Sequence, residues 1–197
     1  MSVPLVELRD VRVHFPVRGR SARRAGAVVK AVDGVSFALE EGRTLGVVGE
    51  SGCGKSTLAR TLLRLVPVTG GTVFWKGRDV RDFDARAMRE LRRDVRMVFQ
   101  DPLASLNPRM TVGELVREPL DLFAPELGES AKRDAVATMF ERVGLRADLL
   151  ERYPHEFSGG QCQRVNIARA LIGRPKLLIC DESVSALDVS IRSQILK

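Results

Sequence analysis

Eight consecutive residues, Gly49-Glu50-Ser51-Gly52-Cys53-Gly54-Lys55-Ser56, constrain the fold of this chain more than any other feature. They fit the pattern G-x-x-x-x-G-K-[ST], and they stand between a strand-like and a helix-like stretch. Residues 44–48 read as a strand. Beyond the loop, Leu58, Leu62 and Leu65 fall at i, i+4 and i+7 and draw one helical stripe that ends before Pro67. Strand, glycine loop, helix is the order in which backbone N–H groups can close around phosphate oxygens. The glycines permit the close wrap, and the helix start adds roughly half a positive charge. In that arrangement Lys55 reaches the β- and γ-phosphates, the Ser56 hydroxyl ligates Mg²⁺, and Thr57 supports the phosphate end of the loop. Cys53 lies where a helix start lowers a thiol pKa, but the loop works through its backbone, so the thiol is incidental.

Around this loop the chain alternates between strand and helix. Residues 5–15 and 31–39 alternate apolar with polar side chains and read as strands, with Asp33-Gly34 and Gly42 as turn signals. A hairpin is expected at 71–80, and a buried strand at 95–99 that stops at Gln100-Asp101-Pro102. Residues 106–171 have helical character broken at Pro108, Pro119, Pro125, Gly144 and Pro154, which predicts an inserted helical subdomain. The uninterrupted apolar run Leu177-Leu178-Ile179-Cys180 predicts a strand buried on both faces of a parallel sheet. The expectation is an α/β fold with a mainly parallel sheet and an N-terminal antiparallel β subdomain. At 197 residues it forms a single domain, 1–197, with the helical subdomain at 106–171 within it.

Composition excludes several classes. The net charge is +7, but 32 basic residues are interleaved with 25 acidic ones, which describes a solvated surface rather than a nucleic-acid groove. The densest basic stretch, residues 18–30, holds five basic residues and no acidic one among Gly, Ala and Ser, and reads as a loop. No window approaches the ~18 apolar residues of a membrane span, and no apolar secretory core begins the chain, so a soluble, cytoplasmic protein is expected. Cys53, Cys162 and Cys180 are odd in number and far apart, which fits a reducing compartment without disulfides or zinc.

Two further segments carry chemistry. Asp181 and Glu182 follow directly on the apolar run and so emerge at the carboxyl end of a core strand, where open α/β sheets bind ligands. There Asp181 is suited to hold Mg²⁺ through water and Glu182 to polarise a water attacking the γ-phosphate; alone, the pair could equally be a solvated acidic turn. In Phe157-Ser158-Gly159-Gly160-Gln161, Ser158 is a good N-cap, the glycines leave N–H groups uncovered, and Cys162, Val165, Ala168 and Leu171 mark a buried stripe behind them. This is a second anion-binding helix start. A chain that already grips phosphate at residues 49–57 has use for another only if it closes over a nucleotide held by a second subunit.

Together these motifs resemble the ABC ATPases, in that family's order and across essentially the whole chain. The segment Phe99-Gln100-Asp101-Pro102-Leu103-Ala104-Ser105-Leu106-Asn107-Pro108-Arg109-Met110-Thr111, with residues 153–164 and Ser185-Ala186-Leu187-Asp188, resembles the oligopeptide and dipeptide importer branch. The resemblance implies an ATP-binding and ATP-hydrolysing subunit using Mg²⁺, paired with itself or a related subunit and seated on membrane-spanning permease subunits at the inner face of the cell membrane. Peptide is then handled only indirectly, and nucleic acid not at all. It further implies that Gln100 senses Mg²⁺ and the attacking water, that Asp188 belongs to a loop crossing the dimer, and that Ser158, Gly159, Gly160 and Gln161 meet the partner's γ-phosphate. Phe15 stacks on adenine by the same resemblance, although an aromatic in an alternating strand can equally be core.

The sequence departs from the family at Ser183, where proline is usual, and it stops at Lys197, ahead of the strand and switch histidine that the resemblance calls for. His14 and His155 therefore read as structural. Nickel or another small solute is an alternative cargo. A soluble ABC ATPase acting on nucleic acid or ribosomes is the rival of a different class, disfavoured by the lack of coiled-coil arms, zinc pairs or a second cassette.

Overall fold

The computed structural model describes residues 3–17 and 27–181, and the chain divides after Arg92 into two compact units. Glu182, Ser183 and Asp188 lie outside the described residues. The first unit is built on a four-stranded antiparallel sheet in the order β2-β1-β3-β4, from β1 (Val6–Pro16), β2 (Val28–Leu39), β3 (Gly70–Trp75) and β4 (Arg78–Asp79). On β1 the buried residues are Val6, Leu8, Val11 and Val13, so the two-residue period breaks once. The register shifts at that point, between Leu8 and Val11. Asp10 absorbs the extra residue with a φ of 49°. Its N–H is satisfied by the Ser36 hydroxyl at 2.8 Å, and the bulge returns Val11 and Val13 to the inward face.

Helix α1 (Lys55–Leu62) buries Leu58 and Thr61. The expected stripe through Leu65 is not realised, because the chain leaves the helix at Leu63. Arg64 turns to a φ of 50°, and its guanidinium donates to the carbonyls of Val80 and Phe83 at 3.3 and 2.8 Å. Leu63 is buried in place of Leu65. Residues 44–48 also depart from expectation. They pair with no strand among the described residues, and Val48 is 96% exposed. Apolar alternation alone does not make a strand; it needs a ladder partner on at least one edge. Helix α2 (Ala85–Asp94) follows, with Met88 and Leu91 buried.

In the second unit β5 (Val95–Val98) runs parallel to β6 (Leu177–Cys180), Val95 opposite Leu177 and Val98 opposite Cys180. β6 is not buried on both faces as its composition predicts. Leu177, Leu178 and Ile179 are half-buried and Cys180 is exposed, since among the described residues only β5 lies beside it. Three helices fill the stretch expected to be helical: α3 (Val112–Phe123), α4 (Glu129–Arg142) and α5 (Gly159–Leu171). Pro119, expected as a break, lies inside α3. Val112, Leu115, Val116, Pro119 and Leu120 are all buried, at i, i+3, i+4, i+7 and i+8, and a Thr111–Glu114 capping box secures the start. One lost backbone hydrogen bond is outweighed by that stripe and cap. The core of this unit joins Phe140 and Val143 of the α4 region to Cys162, Val165 and Ala168 of α5, all of them 0 or 1% exposed. Among the described residues, no helix is long and apolar enough to cross a membrane.

One ion-pair cluster ties α3 to α4. Lys132, only 5% exposed, donates to Asp121 at 2.9 Å, and Arg117 bridges Asp121 and Glu129. The Lys132 hydrogen bond first, and then that of Arg117, holds the Asp121 carboxyl below its ordinary 3.8. A folded-state value below the unfolded one means that the contribution is complete above the unfolded pKa and is lost as pH falls through the folded one. The urea midpoint should therefore drop on acidification below about pH 4. In Asp121→Asn that acid limb should be shallower, and an unchanged limb in chemical denaturation would contradict the assignment.

Candidate functional site

The loop that precedes α1 is shaped by its glycines. Gly54 has a φ of 99°, and a Cβ placed there would sit 1.9 Å from the Ala31 carbonyl oxygen of β2. Only glycine fits. Gly52 is also left-handed, at 82°. The Cys53 N–H closes a turn onto the Glu50 carbonyl at 3.3 Å, and the Cys53 side chain packs over Gly49. Lys55 lays its ammonium across the loop, donating to the carbonyls of Gly49 and Glu50 at 2.8 Å each. Its Nζ is also 3.8 Å from the Cys53 Sγ.

Helix α1 has no side-chain cap and no acidic residue in its first turn. Its first intrahelical bond is from the Leu58 N–H to the Gly54 carbonyl at 2.9 Å, so the N–H groups of Lys55, Ser56 and Thr57 lie ahead of it. A positive helix end, a lysine ammonium and a loop without room for a Cβ at Gly54 form a cradle suited to a polyphosphate. Glu50 and Ser51 are exposed. On β1, Phe15 is 42% exposed and its cross-strand neighbour Val29 is 57% exposed, so the core reading of Phe15 is excluded. His14 is structural, its Nε2 on Asp33 at 2.9 Å. The Lys30 ammonium, and then His14, hold the Asp33 carboxyl below its usual range.

In the second unit, Gln100 follows β5 and is exposed, while Asp181 follows β6 and is buried at 6% exposure. The parallel pairing aligns the two strand ends, and the Asp181 N–H donates to the Val98 carbonyl at 3.0 Å. α5 opens with a capping box: Ser158 Oγ accepts from the Gln161 N–H at 3.3 Å, and Gln161 Oε1 accepts from the Ser158 N–H at 2.9 Å. The first intrahelical bond runs from the Cys162 N–H to the Ser158 carbonyl, so Gly159 and Gly160 precede it. A Cβ on Gly159 meets nothing within 4 Å. Packing among the described residues does not require that glycine. Just upstream, Tyr153 and His155 stack at 5.8 Å, and Glu156 caps the Tyr153 N–H at 2.8 Å. That hydrogen bond, more than Arg152, keeps the Glu156 carboxyl low. Behind the helix start, burial pushes the Cys162 thiol up, which makes it an inert packing group.

The ABC transporter family profile matches residues 32–185. The chain belongs to the ABC transporter family. Among curated ABC proteins it is similar to the oligopeptide transport ATP-binding protein OppF of Salmonella typhimurium, at 56% identity over 193 residues, covering 97% of this chain and 58% of that protein. It is 47% identical over 193 residues to the dipeptide transport ATP-binding protein DppF of Escherichia coli, covering 98% of this chain and 57% of that one. The chain thus spans rather more than half the length of these relatives. Its fold is similar to a dimeric ATP-binding cassette solved in a post-hydrolysis state with ADP and phosphate, at a TM-score of 0.85 and 28% identity over 97% of this chain and 79% of that one.

Some structural side chains at the site gave no signal in the sequence, above all Asn166 and Arg169 of α5, which reach the loop after Gln100. The two glycines at the helix starts give a sharp contrast. Gly54→Ala combines a left-handed φ, which costs about 1–2 kcal/mol, with a backbone collision, so it should lower the stability of the first unit by at least about 2 kcal/mol and abolish binding of a fluorescent ATP analogue. Gly159→Ala should leave the urea midpoint unchanged. Equal destabilisation by the two would contradict this account of the glycines.

Proposed function

We propose that this chain is the ATP-binding and ATP-hydrolysing part of an ABC importer for oligopeptides or dipeptides. The observation that carries the reading is the pair of helix starts, one uncapped behind Gly54 and one opened by Gly159 and Gly160, within a single ABC chain. One grips its own nucleotide and the other needs a nucleotide that this copy does not hold. The names of the relatives, oligopeptide and dipeptide transport ATP-binding proteins, supply the cargo class.

In this reading residues 1–197 form one nucleotide-binding domain with a helical subdomain at 106–171, and two such domains, identical or related, pair head to tail. Gly49 to Thr57 of one copy and Ser158 to Gln161 of the other enclose each ATP. Lys55 moves its ammonium from the loop carbonyls to the β- and γ-phosphates, and Phe15 stacks on adenine. The hard oxygen donors of Ser56, Gln100 and Asp181 would hold Mg²⁺, which would supply charge neutralisation to the polyphosphate. Glu182 accepts a hydrogen bond from the attacking water and orients it in line with the leaving diphosphate, and Asp188 crosses to the other copy. Rate enhancement then comes from positioning and electrostatics rather than from covalent chemistry. Closure acts on permease subunits, with the protein peripheral on the cytoplasmic face of the membrane and the peptide never touching this chain.

In the complete protein, Glu182→Gln should bind ATP with unchanged affinity, accumulate as an ATP-dependent dimer in size-exclusion chromatography with light scattering, and lose steady-state turnover. Wild-type turnover in that variant would remove Glu182 from its role. A strict monomer in saturating ATP would remove the paired arrangement.

A further inference from the structure

Two side chains on one face of α5 reach the loop that follows Gln100. Asn166 Nδ2 donates to the Pro102 carbonyl at 2.8 Å, and Arg169 Nη1 donates to the Ser105 carbonyl at 3.1 Å. They stand three residues apart, the spacing that puts two side chains on the same face of a helix. Asn166 is 7% exposed, so its amide is committed to this contact in a nearly dry setting, where leaving a donor unmet is costly. Arg169 is further anchored by an ion pair with Glu118 of α3.

The loop these residues hold is itself stiff. Asp101 Oδ1 accepts from the N–H groups of both Leu103 and Ala104 at 3.0 Å. The Ser105 hydroxyl donates to the Pro102 carbonyl at 3.0 Å, so that carbonyl receives two donors. Leu106, 4% exposed, pins the far end in the core. A stiff loop held at two carbonyls moves as one body with the helix that holds it. Phe99 and Gln100 join this body to β5, whose end is fixed by the Asp181–Val98 hydrogen bond.

We propose that Asn166 and Arg169 are positioning residues for ATP hydrolysis: through the carbonyls of Pro102 and Ser105 they tie the place of Gln100 to α5. Because α5 begins at Ser158, the same rod carries both the helix start offered to a second subunit's nucleotide and the Gln100 loop. The inference rests on the reading above, that Gln100 serves hydrolysis. It assigns no contact with the nucleotide to either residue.

The test is a double-mutant cycle in the full chain with its transport partners, using Asn166→Ala, Gln100→Ala and the two combined. Asn166→Ala should lower kcat on the order of tenfold, the scale expected for a displaced positioning group, with KM for ATP unchanged. In the Gln100→Ala background it should cause no further loss. Hydrogen exchange should quicken across residues 100–106 in Asn166→Ala while α5 keeps its protection. Arg169→Lys, which retains the charge opposite Glu118, should fall between wild type and Arg169→Ala. If Asn166→Ala lowers the melting temperature of the whole protein, the isosteric Asn166→Asp, which turns an oxygen toward the Pro102 carbonyl, is the second variant and should show the same non-additivity. An undiminished kcat, or an equal loss with and without Gln100, would overturn the proposal while leaving the role of Gln100 intact. Unchanged turnover in Gln100→Ala alone would instead overturn the role of Gln100, and the proposal with it.

Discussion

A polyphosphate brings several negative charges, and backbone N–H groups at a helix start can meet them without a side chain of their own. At α1 the first turn carries no side-chain cap. Gly54 caps the helix without offering a side-chain acceptor, and no acidic residue occupies the first turn. The bend that makes this possible depends on a single residue type at one position, where any Cβ would run into the Ala31 carbonyl. The sheet behind the loop matters because it fixes that carbonyl. Asp10 keeps β1 in register through the bulge, β1 holds β2, and β2 places Ala31.

The second helix start is built differently. Ser158 and Gln161 satisfy each other in a capping box, which secures α5, while Gly159 and Gly160 present bare backbone ahead of the first helical bond. The stability of this helix is supplied from behind, by Cys162, Val165 and Ala168 in the core. A helix anchored so thoroughly along its length can present its first turn rigidly, and rigid presentation is what electrostatic stabilisation of a nucleotide demands.

The parts of this organisation that depend on local chemistry were legible in the sequence. The glycine loop, the strands at 5–15 and 31–39, the Ser158 cap and the buried stripe of α5 all follow from neighbours within a few residues, whereas the turn expected at Asp33-Gly34 falls inside β2. What depends on distant partners was not. Residues 44–48 look like a strand, but a strand exists only when another pairs with it. Pro119 looks like a break, but the buried stripe of α3 outweighs it. Leu177 to Cys180 look doubly buried, yet among the described residues β5 alone accompanies the strand, and Cys180 is exposed. Asn166 and Arg169 bond to carbonyls 64 residues away, for which no spacing pattern exists. The reverse holds for Phe15, where the sequence left core and surface open and its exposure decides for the surface.

The central claim is that the two helix starts of one chain serve two different nucleotides shared between two copies. Mixed dimers test it most directly. Lys55→Ala disables the first start and a bulky Gly159→Arg disables the second, and each variant alone should fail to form an ATP-dependent dimer. Combined in equal amounts they produce a dimer in which one composite site carries both lesions and the other carries none. The account predicts that mixing restores ATP-dependent dimerisation, with one tightly held nucleotide per mixed pair measured by equilibrium dialysis. Failure of the mixture to regain ATP-dependent dimerisation, or full ATP-dependent dimerisation by either variant alone, would contradict it.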